Sequence, residues 1–222
     1  MRAVKINTRI PFAIAGIVWA ELDYAQLRDV AQDSFLVSET IQPVRRICVP
    51  SQLSRAGFRR RRDWMSGRLC AMRALEQIGR SADTNATKLP IHWPAGVAGS
   101  ISHDRLGAVA AVSTRFRRIG VDRQCVFDND EATLLAPIIQ APGDDGFRPD
   151  CISREKFLTI LFCAKEAAYK AMPMNMQHGQ TMDRYSLRAF TPDYLQLLGP
   201  RGSFFLWWHI NETGATSLAI ET

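Results

Sequence analysis

The sequence predicts an α+β protein of two similar halves that each pair a small antiparallel sheet with one long helix. Three observations point there. Apolar residues recur at helical period from Phe58 to Ile78, at Trp64, Leu69, Met72, Leu75 and Ile78. A second long helical stretch runs from Ser153 to Met172. Short runs rich in β-branched and aromatic residues, bounded by Gly, Pro and Asn, flank both helices, so helix and strand alternate twice along the chain. The halves are expected to meet near residues 113 to 118, giving an N-terminal half at 1–114 and a C-terminal half at 115–222. No residue-level repeat relates them.

In order, Gly16 to Leu22 reads as a strand and Tyr24 to Phe35 as a short helix. The apolar segment Ile10 to Ala20, preceded by Arg2, Lys5 and Arg9, faintly resembles a secretion signal. Pro11 and Gly16 interrupt it and Glu21 and Asp23 follow at once, so a folded edge strand is the better reading. Thr40 to Arg55 is irregular, with Pro43 and Pro50. Gly79 ends the first long helix, and Ser81 to Pro94 is a polar connector. Trp93 to Asp104 reads as a turn of small residues leading into a strand at Gly107 to Ser113, with another at Arg118 to Asp122. Asp128 to Gln140 is a helix capped by Asp128 or Asn129, and Ala141 to Pro149 is a loop. Ser153 caps the second long helix and Pro173 stops it. Strands follow at Ser186 to Phe190, Tyr194 to Leu198, Ser203 to Ile210 and Ala215 to Ile220.

The chain has 222 residues and a formal net charge of +6, which favours an anionic partner: a phosphorylated small molecule, an acidic protein or nucleic acid. Five scattered cysteines without C-x-x-C spacing read as reduced thiols of a cytoplasmic protein. No apolar run approaches the ~20 residues of a membrane helix, so no membrane partner is expected. The run Arg59-Arg-Arg-Arg62, followed by Arg68 and Arg73, suits phosphate recognition. Only Phe58 and Trp64 lie near it, and Trp64 falls on the apolar stripe, so the pattern argues weakly for nucleic acid.

Lysine is scarce, five residues against 23 arginines, yet Lys165 and Lys170 bracket Glu166 on the second long helix. Glu166 and Lys170, four apart, share a face; alone, such a pair is more often a surface ion pair than a site. Asp122 and Gln124 project from one face of a strand and, with Glu166, would supply oxygen ligands to a hard cation. Ser102 and His103 follow Gly-rich backbone suited to a phosphate. A Ser-His-Asp hydrolase is disfavoured, because no G-x-S-x-G elbow is present and Ser102 and His103 are adjacent.

Taken in order, R-R-x-x-[FW]-x-x-G-R, W-P-x-G-x-x-G-S-I-S-H, I-G-V-D and F-x-A-K-E-x-x-Y-K closely resemble the Sfp-type phosphopantetheinyl transferases, in their enterobactin synthase component D branch. The matching segments run from about Arg59 to Lys170. The resemblance implies a pseudo-dimeric α+β fold holding coenzyme A between its halves. It implies transfer of the 4′-phosphopantetheine arm of coenzyme A to a serine of an acyl, peptidyl or aryl carrier protein, releasing adenosine 3′,5′-bisphosphate. It places Mg²⁺, or Mn²⁺, on Asp122, Gln124 and Glu166. It assigns Arg60, Arg61, Arg68, Lys88, Ser102 and His103 to coenzyme A, and Lys165 and Lys170 to the reacting phosphoryl, with Glu166 as base. The partners implied are coenzyme A and acidic apo carrier domains, with siderophore metabolism favoured, and the protein is expected to act as a monomer without nucleic acid.

One departure stands out. The family usually shows D-x-E, and here Asp122-Arg-Gln124 replaces the second acid with a neutral amide, which predicts a weaker hold on the metal. A degenerate relative that binds coenzyme A or a carrier without turnover is therefore an alternative reading, and a basic nucleic-acid binder a more remote one.

Overall fold

A computed structural model of the chain describes residues 6–12, 14–27, 34–37, 45–80, 91–200 and 202–221. Among these, the strands form two antiparallel sheets and a separate two-stranded ribbon. The first sheet comprises β1 (Val18–Asp23), β4 (Ala98–His103) and β5 (Gly107–Ser113), ordered β1-β5-β4. The second comprises β6 (Ile119–Cys125), β7 (Ser186–Phe190), β8 (Tyr194–Gly199), β9 (Gly202–Ile210) and β10 (Gly214–Glu221), ordered β6-β10-β9-β8-β7. The ribbon pairs β2 (Ser34–Val37) with β3 (Arg45–Cys48). The expected α+β architecture is present, each large sheet carrying one long helix, and β1 is an edge strand as anticipated.

The first long helix, α1 (Phe58–Gln77), lies on one face of the first sheet. Met65, Leu69, Met72 and Leu75 pack there against Ala20, Leu22, Ala108, Ala110 and Val112. α2 (Asn129–Ile139) starts at a capping box in which Asp128 and Glu131 satisfy each other's backbone N–H groups. α3 (Arg154–Ala171) starts at Ser153, whose Oγ accepts from Lys156 N, and covers the inner face of the second sheet. A third apolar core lies between the sheets, where Trp19, Val109 and Ala111 meet Ile119, Val121 and Leu218. β5 is thus buried on both faces along its whole length, which explains why Gly107-Ala-Val-Ala-Ala-Val-Ser113 carries only small and apolar side chains.

Three expectations are corrected. Of the helix expected from Tyr24 to Phe35, Tyr24–Leu27 form a 3₁₀ turn and Phe35 falls in β2, while residues 28–33 lie outside the described residues. The irregular stretch Thr40 to Arg55 contains β3 and a 3₁₀ turn at Ser51–Leu53. The Gly- and Ser-rich segment before His103 is strand β4 rather than a turn. Small residues are needed in it because the neighbours come very close. A Cβ on Gly99 would lie 2.4 Å from the Trp93 indole, and one on Gly67 of α1 would lie 2.7 Å from Ile101 Cγ2.

A seam follows from this packing. β4 and β6 belong to different sheets, so no backbone ladder joins them, and hydroxyls do so instead. Ser100 Oγ accepts from Val121 N at 3.0 Å and Ser102 Oγ from Arg123 N at 3.4 Å. No helix is long and apolar enough to cross a membrane among the described residues.

Candidate active site at the seam between the sheets

Alternation along β4 sends Gly99, Ile101 and His103 toward α1 and Ser100 and Ser102 toward β6. On β6, Gly120, Asp122 and Gln124 face α3. Gly120 permits this contact, since a Cβ there would sit 1.9 Å from Ala167 O and 2.7 Å from Ala171 N. The glycine of I-G-V-D therefore lets α3 press against β6 and brings Lys170 over Asp122.

Lys170 Nζ donates to Asp122 Oδ1 at 2.6 Å, to Ser102 Oγ at 3.1 Å and to Val121 O at 3.2 Å. Ser102 Oγ donates to the same Asp122 Oδ1 at 2.7 Å. The Asp122 side chain is 8% exposed and that of Lys170 is 28% exposed, so the ammonium keeps a route to an incoming ligand. Glu166 lies one turn before Lys170. Burial pushes its carboxyl above the ordinary glutamate value, the nearby Asp122 adds to this, and Lys170 partly offsets it. Two carboxylates that repel each other in a part-buried site are the arrangement a divalent cation relieves.

His103 joins the cluster from the N-terminal side. Burial pulls its imidazole below the ordinary histidine value, and Lys170 and Arg60 add to this, against the opposing pull of Asp63 and Asp122. Asp63 Oδ2 lies 3.7 Å from His103 Nδ1, and its Oδ1 accepts from Arg62 Nε at 3.1 Å and Nη2 at 2.8 Å. Asp63 was not anticipated. Its signal was present, because it is the only carboxylate between Arg59 and Arg73.

The other expected residues divide. Arg60 is exposed near His103, and Arg61 is half-buried on α1. Arg68 is 5% exposed, with its guanidinium 5.3 Å from the Trp64 ring and no hydrogen-bond partner for Nη1 among the described residues. A buried donor left without an acceptor is costly, and an anionic oxygen would satisfy it. Gln124 is half-buried, on the same face of β6 as Asp122. Lys88 lies outside the described residues.

Lys165 is a correction. It sits on the far side of α3 from Glu166 and Lys170 and is fully buried, with Nζ donating to Asp144 Oδ2 at 2.6 Å and to Ile139 O at 2.7 Å. Asp144 also accepts from Ala141 N and Leu187 N. Burial pulls the ammonium below the ordinary lysine value and Asp144 opposes this. Lys165 therefore ties α3 to the loop after α2 and to β7, and it does not flank a reacting group at the seam.

At the seam, hydroxyl and imidazole groups at the end of a strand stand beside carboxylates and a lysine, and on α1 a buried arginine is short of an acceptor; these are groups suited to phosphate oxygens. Residues 49–113 match the family model for the 4′-phosphopantetheinyl transferase N-terminal domain. Enterobactin synthase component D of Escherichia coli O157:H7 is 33% identical over 165 residues, covering 73% of this chain and 78% of that protein. 4′-Phosphopantetheinyl transferase Npt of Nocardia iowensis is 36% identical over 121 residues, 51% of this chain and 52% of that one. 4′-Phosphopantetheinyl transferase PptT of Mycobacterium tuberculosis is 32% identical over 125 residues, 54% of each chain. The chain belongs to the 4′-phosphopantetheinyl transferases, in the group of enterobactin synthase component D.

Proposed function

We propose that this enzyme moves the 4′-phosphopantetheine arm of coenzyme A onto the serine of an acyl, peptidyl or aryl carrier protein and releases adenosine 3′,5′-bisphosphate. The contact that carries the reading is the convergence of Lys170 and Ser102 on Asp122, beside Glu166, where the two sheets meet. In this reading residues 1–114 take the nucleotide end, through Arg60, Arg61, Arg68 and Lys88, with Ser102 and His103 on the phosphates. Residues 115–222 carry the metal ligands and the reacting groups.

Asp122 and Glu166, with the amide oxygen of Gln124, are the residues that would hold Mg²⁺ or Mn²⁺. They fit such an ion, which takes one or two protein carboxylates and completes its shell with water and phosphate oxygens. Bound there, it would neutralise charge on the diphosphate of coenzyme A. The remaining chemistry belongs to side chains. Glu166 accepts the proton of the carrier serine, directly or through one water. The serine oxygen forms a bond to the phosphorus bearing pantetheine, while the bond from that phosphorus to the bisphosphate oxygen breaks. The Lys170 ammonium, the compact donor of this site, stabilises or protonates that departing oxygen.

The net charge of +6 suits an acidic carrier domain. Arg115 and Arg117, exposed on the turn before β6, are candidate contacts, whereas Arg118 is engaged by Glu221. Similarity to proteins named enterobactin synthase component D favours a carrier of siderophore assembly. The enzyme is taken to act as a cytoplasmic monomer.

The test is to incubate the protein with coenzyme A, Mg²⁺ and an apo peptidyl carrier domain and to weigh the carrier. A gain of one phosphopantetheine arm is expected. An unchanged mass, where a known transferase loads the same carrier, would overturn the proposal. Gln124 favours one second reading, binding without turnover, which predicts coenzyme A binding in calorimetry with no change in carrier mass.

A further inference from the structure

Asp122 and Gln124 face α3, so Arg123 between them faces the opposite way. It does not end in solvent there. Its side chain is 12% exposed, with Nη1 2.9 Å from Glu21 Oε1 on β1 and Nε 3.2 Å from Asp104 Oδ2 at the β4–β5 turn. Asp104 is itself fixed, because its Oδ1 accepts from Leu106 N at 2.8 Å and Gly107 N at 2.9 Å. Gly107 makes room for the fork, since a Cβ there would lie 3.0 Å from Arg123 Nη1 and 2.3 Å from Leu22 O. One planar guanidinium from the second sheet thus spans two carboxylates of the first.

No backbone ladder sets the offset between β4 and β6. Across the junction run the apolar core between the sheets, the serine hydroxyls at the seam and, behind it, the Arg123 fork. Both neighbours of Arg123 are the oxygen-bearing residues of the site, so a shift of β6 along the seam moves Asp122 and Gln124 relative to Ser102 and His103. We propose that Arg123 is a positioning residue for transfer: by bridging Glu21 and Asp104 it holds the two halves at the offset that aligns Asp122 and Gln124 with the phosphate-binding residues of β4. This rests on the transferase reading above. A lysine would not replace it, because a single ammonium lacks the planar fork that reaches both carboxylates.

The test separates positioning from stability. Arg123→Met strands two carboxylates and lowers Tm. The triple variant Glu21→Gln, Asp104→Asn, Arg123→Met removes all three charges while leaving Asp104 Oδ1, as an amide oxygen, to accept from the turn. Its Tm is expected to return toward wild type. The Mg²⁺ concentration for half-maximal rate, and the coenzyme A Kd measured by calorimetry with Mg²⁺, are expected to stay roughly tenfold above wild type. Arg123→Lys, which keeps the charge, is expected to fall between. A triple variant with wild-type Tm, Mg²⁺ requirement and coenzyme A Kd would overturn the proposal. Should the triple variant not fold, Arg123→Lys decides, and wild-type values for both quantities in it would overturn the proposal equally. Failure of the wild-type protein to load a carrier counts against the transferase reading, whereas loading by a wild type whose Arg123 variants behave identically counts against this one alone.

Discussion

Lys165 and Lys170 lie five residues apart on α3 and about 140° apart around it. Lys165 is fully buried and spent on Asp144, tying the helix to the loop after α2 and to β7. Lys170 is part-exposed at the seam, and its partners are Ser102 and Asp122, the residues proposed to meet phosphate and metal. Residue type and local motif are shared. The face of the helix decides which lysine is structural and which can touch a ligand.

The largest effect should follow Lys170. Lys170→Met is expected to lower kcat by about 10²–10⁴-fold, the usual contribution of a positioned proton donor, with a smaller loss of Tm than Lys165→Met, because the Lys170–Asp122 pair is part-exposed. A comparable loss of Tm would erase the distinction between the two lysines. Lys165→Met should do the reverse. Stranding Asp144 in the core is expected to cost about 3–5 kcal/mol in chemical denaturation, with coenzyme A Kd unchanged in the folded protein. Lys165→Met combined with Asp144→Asn should recover part of that loss.

Gln124→Glu sharpens the contrast at the seam. It restores an acid beside Asp122 and should lower the Mg²⁺ needed for half-maximal rate by about tenfold. An unmoved Mg²⁺ dependence would remove residue 124 from the ligand set.

The smallest effect concerns His103. Its NMR titration should fall below the ordinary histidine value of 6.5, since burial dominates. Asp63 raises this value, so Asp63→Asn should move the midpoint further down, while Arg60→Ala should move it up. A folded value below the unfolded one means that His103 contributes stability above pH 6.5. That contribution is lost as pH falls through the folded midpoint.

Much of the fold was legible because local signals agreed with it. Ser153 and Pro173 bracket α3, Asp128 opens α2, and the C-terminal strands alternate between turn residues. β4 was not legible. Ala98-Gly-Ser-Ile-Ser-His103 has little intrinsic strand preference, and it is a strand because it pairs antiparallel with β5, a nonlocal ladder. Phe35 was assigned to a helix for the same reason, since its pairing with Ile47 on β3 is a nonlocal contact. The I-G-V-D and K-E-x-x-Y-K patterns single out Asp122, Glu166 and Lys170, which the fold brings together at the seam. Lys165 was misread because its partner, Asp144, lies 21 residues away in a loop. Arg123 was passed over because a residue between two candidate ligands points to the other side of its strand.

The most direct measurement is a crystal structure with coenzyme A and Mn²⁺, the cation located by its anomalous signal. The ion is predicted in contact with Asp122 and Glu166, the diphosphate beside Ser102 and His103, and Lys165 still on Asp144. Coenzyme A bound away from the seam, or a cation that touches neither carboxylate, would contradict the proposed site.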